Sequence, residues 1–175
     1  MPNSPAWLKA AHAKIGTREA PGAANNPTIM GWAKRLPVKV LGMIYNADSV
    51  PWCGLFVAHC LAEGGIDLAV EGFNRQTVAI RAKAWATWGA RLRFDRLAPG
   101  AVMIFDRAGG GHVAFYVGED DVAYHVLGGN QSDTVSVMRI LKTRCIAARW
   151  PKDVPVTGGP VRLSRAGAPL SHNEA

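Results

Sequence analysis

The sequence predicts an α+β fold, with helices in the first half of the chain and a small antiparallel sheet in the second. Before residue 90, apolar residues recur at helical spacing and glycines follow the ends of several runs. After a Pro-Gly pair at residues 99–100, the chain changes to short β-rich runs separated by turns. Helices followed by strands, without regular alternation of the two, are typical of a domain whose N-terminal helices pack on an antiparallel sheet.

Helices are predicted where the apolar spacing is strongest. A turn-rich loop at residues 17–27 and an irregular segment at residues 37–48 separate the first three helices. The predicted helices cover residues 5–16, 28–36, 53–63 and 78–88.

The helix that begins at Cys53 carries the most reactive side chain type in the sequence. Its apolar positions, at offsets 0, 3, 4, 7 and 8, are Cys53, Phe56, Val57, Cys60 and Leu61. Ser49 or Asp48 is a candidate N-cap. The free N–H groups and positive dipole of a helix N-terminus favour a thiolate and can stabilise an oxyanion. A lone cysteine is more often a small buried hydrophobe, so its assignment depends on the residues downstream.

Five strands are predicted in the second half of the chain, over residues 101–105, 112–117, 122–127, 135–140 and 145–150. We expect residues 1–150 to form one domain. Residues 151–175 contain four Pro and three Gly, and we expect them to form a loose, dispensable tail.

Composition indicates a globular domain with an anionic partner. The chain has 175 residues, of which 49% are apolar and 19% charged, enough for one substantial core. A net charge of +7 favours an anionic partner such as nucleic acid, a membrane surface or a cell-wall polymer. Because the basic residues are scattered, we do not expect nucleic-acid binding.

Cysteine usage and hydropathy exclude several classes of protein. Three cysteines without a C-x-x-C pair argue against a disulfide framework and a structural zinc site, and we interpret Cys60 and Cys145 as structural. The sequence shows no signal-peptide pattern, and it contains no apolar run long enough to span a membrane. We therefore expect a monomer, made in the cytoplasm and not inserted in membranes.

A histidine follows at the position where a thiol nucleophile would need its base. His112 begins the second predicted strand, directly after three glycines that end at Gly111. Glycine at that position leaves the imidazole uncovered and lets a substrate approach closely. Because a thiol nucleophile needs an imidazole within hydrogen-bond reach, Cys53 and His112 are the candidate catalytic pair.

A third polar group should orient the imidazole, and two residues are candidates. Asn130 follows His112 by 18 residues, and one hairpin would return it beside the His112 strand. His125 is the alternative, although strand alternation places it on the opposite face from Asn130. A β-bulge would reverse that parity.

These motifs resemble the NlpC/P60 and CHAP group of papain-like cysteine peptidases and amidases. The resemblance covers roughly residues 7–150 and rests on four segments in order, at residues 51–57, 99–105, 111–118 and 127–133. The family's Pro-Gly-Asp turn is Pro-Gly-Ala here, and Gly128 stands where CHAP enzymes often have Glu. The resemblance implies a papain-like fold.

The resemblance also implies roles for individual residues. Cys53 would be the nucleophile, His112 the general base and Asn130 the third catalytic residue, while Trp52 at the rim of the site and Gly111 would contact substrate. The implied reaction is hydrolysis of an amide bond in peptidoglycan, by an endopeptidase or an N-acetylmuramoyl-L-alanine amidase that needs no metal or other cofactor.

Among proteins that act on cell walls, a phage endolysin released through a holin agrees best with the lack of a signal peptide. A secreted effector or a virion-borne hydrolase would also agree with it. Two alternatives remain open. The same Cys–His pair could transfer an acyl group to an amine or lipid, or the domain could be a catalytically silent module that binds wall or nucleic acid.

Overall fold

The computed structural model describes residues 4–173. Within these residues the α-helices are α1 (Ala6–His12), α2 (Pro27–Lys34), α3 (Val38–Leu41) and α4 (Cys53–Glu63). The strands are β1 (Ala90–Arg91), β2 (Val102–Arg107), β3 (Gly110–Glu119), β4 (Ala123–Gly128), β5 (Ser136–Leu141) and β6 (Cys145–Trp150). Short 3₁₀ helices cover Ala82–Thr87, Phe94–Arg96 and Lys142–Arg144.

The α+β prediction is confirmed. The described strands form one six-stranded sheet in the order β1-β6-β2-β3-β4-β5, and every neighbouring pair is antiparallel. Strands β2 to β5 follow one another as hairpins, while β6 crosses back to pair with β2. The β3–β4 hairpin returns the chain so that the turn after β4 lies beside the part of β3 that carries His112.

Helix α4 lies in the centre of the molecule, where it contacts both the sheet and the other helices. Residues 53–61 are all buried, so the helix is enclosed on every side. On one side α4 packs against β3 and β4, and on the other it packs against α1 and α2. Phe56 contacts Trp32 of α2 and Phe115 of β3, with ring centroids 5.9 Å and 6.2 Å away. Burial of a side chain of this size stabilises the fold by roughly 2–3 kcal/mol.

The predicted helix at residues 78–88 is wrong in its first half. The backbone N–H groups of Ala79 and Ile80 donate to the carbonyls of Val40 and Leu41, at 2.8 Å and 3.1 Å. These long-range bonds join the segment to α3, which itself lies in a stretch expected to be irregular. The helical turns begin only at Ala82 and are of the 3₁₀ type.

The C-terminal segment packs on the sheet, so the expectation of a loose tail is wrong for its described part. The N–H of Glu119 donates to Val161, and the N–H of Leu163 donates to Glu119, both at 2.8 Å. Arg139 on the edge strand β5 exchanges backbone hydrogen bonds with Pro169 and Ser171, at 2.9 Å and 2.8 Å. The tail therefore satisfies backbone groups that the sheet leaves unpaired. Residues 174–175 lie outside the described residues.

Within residues 4–173, every helix falls short of the length and apolar character that a membrane-spanning helix requires.

Candidate active site

Cys53 is the first residue of α4, and the helix N-terminus around it has no side-chain cap. Trp52 occupies the N-cap position, and no acidic residue lies in the first turn. The prediction that Asp48 or Ser49 caps the helix is wrong. Asp48 Oδ2 instead accepts from the backbone N–H groups of Ala20 and Asn26, at 2.9 Å and 2.7 Å, and so anchors the loop before α2. The N–H groups of the first turn of α4 remain available beside the thiol.

The Cys53 thiol lies against strand β3. The residue is only 6% exposed, and burial raises the pKa of its thiol. Hydrogen bonds from the backbone of Val113 and Gly54, and the positive charge of Arg107, act in the opposite direction and favour the thiolate. Because Val113 follows His112 in β3, the sulfur lies beside the part of the strand that carries the histidine.

His112 is held by a buried glutamine. The ring is 2% exposed, and its Nε2 lies 3.1 Å from Oε1 of Gln131. The Gln131 Nε2 group donates to the backbone carbonyl of Ser136 at 2.6 Å, which fixes the orientation of the amide. Since Oε1 can only accept, Nε2 of His112 carries the proton and Nδ1 is left as the basic nitrogen of the neutral ring.

Gln131 is a residue that the sequence prediction missed. Asn130, the predicted third residue, is its neighbour; it is buried and adopts a left-handed φ of 57°. Asparagine tolerates this conformation, which turns the chain after β4. The strand alternation that favoured Asn130 ends at Gly128, so it does not apply to the following residues. The only signal for Gln131 in the sequence is its place in the Gly-Gly-Asn-Gln segment.

Two glycines allow this turn to lie close to α4 and β3. A Cβ atom on Gly128 would be 2.8 Å from Gln131 Oε1 and 2.9 Å from the Ala114 Cβ. A Cβ atom on Gly129 would be 2.6 Å from both Phe56 Cβ and a ring carbon of Trp52. A side chain at either position would push the Gln131 turn away from the Cys53 helix.

The prediction that Trp52 lies at the rim of the site is wrong. Its side chain is 0% exposed and packs against Gly129 and Trp32, so it offers no surface to a substrate. Its Nε1 donates to Glu19 Oε2 at 3.3 Å. Trp52 faces inward because Gly129 offers an unobstructed surface to the start of α4.

His125 belongs to a different cluster. Its Nε2 lies 2.9 Å from Asp120 Oδ2, which also accepts from Arg139 Nε at 2.7 Å. The pKa of Asp120 lies well below its usual range, chiefly because its carboxylate accepts from Arg139. Hydrogen bonds from His125 and from neighbouring backbone groups lower this pKa further. A bulge does shift the β3–β4 register between Tyr116 and Gly118, yet His125 still pairs with Asp120.

A cleft of about 260 Å³ opens beside the nucleophile. Gly111 lies in its wall, and a Cβ atom there would be 2.8 Å from Lys83 Cγ, so a side chain at this position would displace the Lys83 side chain. Contact between Gly111 and substrate stays a prediction. The residues that line the cleft are Pro51, Cys53, Ile80, Arg81, Ala82, Lys83, Arg107, Gly110 and Gly111.

The other two cysteines lie in environments that suppress reactivity. Cys60 is fully buried in α4, and burial raises the pKa of its thiol. Burial also raises the pKa of Cys145 to about 12. Among residues 4–173 there is no group of three or more His, Cys, Asp or Glu side chains placed to hold a metal ion.

No family model matches the chain, and no curated protein matches it at a significant level.

Proposed function

We propose that this chain is a papain-like thiol hydrolase that cleaves an amide bond of peptidoglycan, with Cys53 as nucleophile and His112 as general base. The observation that carries the proposal is the arrangement of three buried groups. Cys53 lies at an uncapped helix N-terminus against β3, His112 precedes the strand residue that contacts the sulfur, and Gln131 holds the imidazole.

The first step is proton transfer from the thiol to the imidazole. Burial raises the pKa of the Cys53 thiol, which favours the protonated form before the reaction begins. Nδ1 of His112 accepts this proton, because Nε2 donates to Gln131 Oε1. The backbone donors and the Arg107 charge then stabilise the thiolate as it forms.

The thiolate attacks the carbonyl carbon of the amide. The backbone N–H of Cys53 donates to the resulting oxyanion, and protonated His112 gives its proton to the leaving amine. The C–N bond breaks and a thioester to Cys53 remains. A water molecule, deprotonated by His112, then hydrolyses the thioester and restores the thiol.

Two features support peptidoglycan as the substrate. The order of the motifs around Cys53, His112 and residues 127–133 is similar to that of the NlpC/P60 and CHAP enzymes. The net charge of +7 favours association with the anionic polymers of a bacterial envelope. An endolysin role is the biological setting that we propose for this activity.

The test is release of fragments from purified peptidoglycan, followed by mass analysis of the muropeptides. We expect the wild-type chain to produce one new amine and one new carboxyl group per bond, with the mass of one water added. Cys53→Ser should abolish release, because a hydroxyl is a far poorer nucleophile in this setting. Acyl transfer would instead add the mass of the acceptor.

Cys145→Ser is the matched control, since it makes the same atomic change at a cysteine outside the site. It should retain activity. Fragment release by the Cys53→Ser variant equal to wild type would contradict the proposal.

A further inference from the structure

The cleft beside Cys53 is lined by cationic side chains from two separate segments. Arg81 and Lys83 lie at the start of the first 3₁₀ helix, and Arg107 is the last residue of β2. No carboxylate is among the residues that line the cleft in the described part of the chain. Arg107 is also close enough to Cys53 for its charge to lower the pKa of the thiol.

Among the described residues, Lys83 is the only one of these three cations that forms an ion pair. Lys83 Nζ forms an ion pair with Asp106 Oδ1 at 2.6 Å. Arg107 Nη1 donates to the side-chain oxygen of Asn173 at 2.9 Å, which is a neutral acceptor. Within residues 4–173, neither Arg81 nor Arg107 forms an ion pair, and the buried Nε of Arg107 has no hydrogen-bond partner.

A guanidinium with an unused buried N–H is suited to a carboxylate ligand. The planar fork of arginine matches the two oxygens of a carboxylate, and hydrogen bonds to charged acceptors are stronger than those to neutral ones. The volume of about 260 Å³ fits a group the size of one side chain rather than a polyanionic polymer.

We propose that Arg81 and Arg107 form a subsite for a free carboxylate on a residue next to the scissile amide. This inference rests on the proposed function. It specifies the substrate class as peptides that carry an unmodified carboxylate beside the cleaved bond, as opposed to peptides in which that group is amidated.

The test uses matched synthetic stem peptides, made after mass analysis has identified the bond that is cleaved in peptidoglycan. Within each pair, one residue flanking the bond carries either a carboxylate or a carboxamide, and each flanking position is varied in turn. We expect kcat/KM of the wild-type chain to favour the carboxylate at one position by about ten- to a hundredfold.

Variants then assign the preference to the two arginines. In Arg81→Gln and in Arg107→Gln, the ratio of kcat/KM between the paired peptides should fall toward one. The ratio is the appropriate readout because any effect of Arg107 on the thiolate is the same for both peptides. Arg91→Gln, an exposed change on β1 outside the cleft, is the control and should keep the wild-type ratio.

The two proposals fail in different ways. Equal cleavage of both members of every pair by the wild-type chain, or an unchanged preference in both arginine variants, would overturn the carboxylate subsite while leaving the hydrolase proposal in place. Absence of cleavage of peptidoglycan itself would overturn both.

Discussion

At the scale of single residues, the bond between His112 and Gln131 determines which ring nitrogen can act as the base. Gln131 is itself fixed by Ser136, so the orientation of the imidazole depends on a chain of two buried hydrogen bonds. Each buried donor or acceptor that loses its hydrogen-bond partner lowers the free energy of unfolding by about 1–3 kcal/mol. The pair therefore contributes to stability as well as to the geometry of the site.

Loss of the Gln131 amide should reduce catalysis more than loss of its neighbour. We expect Gln131→Ala to lower kcat/KM by about ten- to a thousandfold, because the imidazole can then rotate away from the thiol. Asn130→Ala is the matched comparison and should have the smaller effect. The opposite ranking, measured on the same peptidoglycan fragments, would restore Asn130 as the residue that orients His112.

A second residue-scale prediction concerns acid stability. His59 is buried, stacks on Trp32 with ring centroids 5.5 Å apart, and has a pKa lowered by burial from 6.5 to about 4. The folded state keeps this ring neutral, while the unfolded chain takes up a proton below about pH 6.5. The contribution of His59 to stability is therefore present above pH 6.5 and is lost as the pH falls toward 4.

Urea unfolding between pH 7 and pH 4 measures this effect. The free energy of unfolding of wild type should decrease through the window, and the decrease should be smaller in His59→Phe, which keeps an aromatic ring against Trp32. Parallel pH curves for the two proteins would show that His59 is not the titrating group.

At the scale of secondary structure, the site depends on how closely the first turn of α4 approaches the turn after β4. Gly129 provides the contact surface on the β4 side, against Phe56 and Trp52. On the other side of the helix, a Cβ atom on Gly54 would overlap the backbone carbonyl of Ala79. Helix α4 is thus held between two backbone segments. The contacts with these segments determine how deeply Cys53 is buried.

Gly129→Ala should disturb both the fold and the site. A methyl group 2.6 Å from Phe56 must displace α4 or the turn, at a cost of about 1–3 kcal/mol, and activity should fall with it. Gly31→Ala in α2 is the control, since a Cβ atom there meets nothing within 4 Å. It should leave activity unchanged and stabilise the chain by up to about 1 kcal/mol. Equal melting temperatures for wild type and Gly129→Ala would contradict the proposed packing.

At the scale of the whole molecule, the C-terminal segment packs against the end of β3 and along the edge strand β5. Leu163 covers Gly118, and Tyr116 accepts at its hydroxyl from the backbone N–H of Val161 at 3.0 Å. The nearby Asp120, His125 and Arg139 form a buried polar cluster, and Arg165 of the segment lies 4.0 Å from Asp120 Oδ1. The segment therefore completes the packing around one end of the sheet.

Deletion of residues 156–175 should lower the melting temperature by several degrees. The deletion leaves Glu119 and Arg139 with unpaired backbone groups and exposes apolar surface around Gly118. Leu163→Ala tests the same packing with the backbone bonds retained, and its loss should be smaller. A truncated chain that melts with wild type would show that the segment contributes nothing to stability.

Local sequence was sufficient for most of the helices and strands. Apolar spacing and turn residues predict the start of α4 at Cys53, the bounds of β6 and the position of His112 on β3. These three features could be predicted because each depends on residues within a few positions in the chain. Helix α3, strand β1 and the turn at residues 79–80 escaped prediction. Strand β1 forms by pairing with β6, and the turn donates to the carbonyls of Val40 and Leu41, so both depend on segments far away in the chain. Helix α3 has only four residues, too few to show a helical period of apolar residues.

Local patterns in the chain were enough to predict the α+β class and to select Cys53 and His112 as a candidate pair. The contact of Gln131 with the imidazole, the burial of Trp52 and the packing of the tail on the sheet are visible only in the folded protein. Each of these contacts joins segments that are far apart in the chain. The register of the sheet and the close approach of α4 decide which groups these side chains contact. Neither of the two can be read from a local sequence pattern.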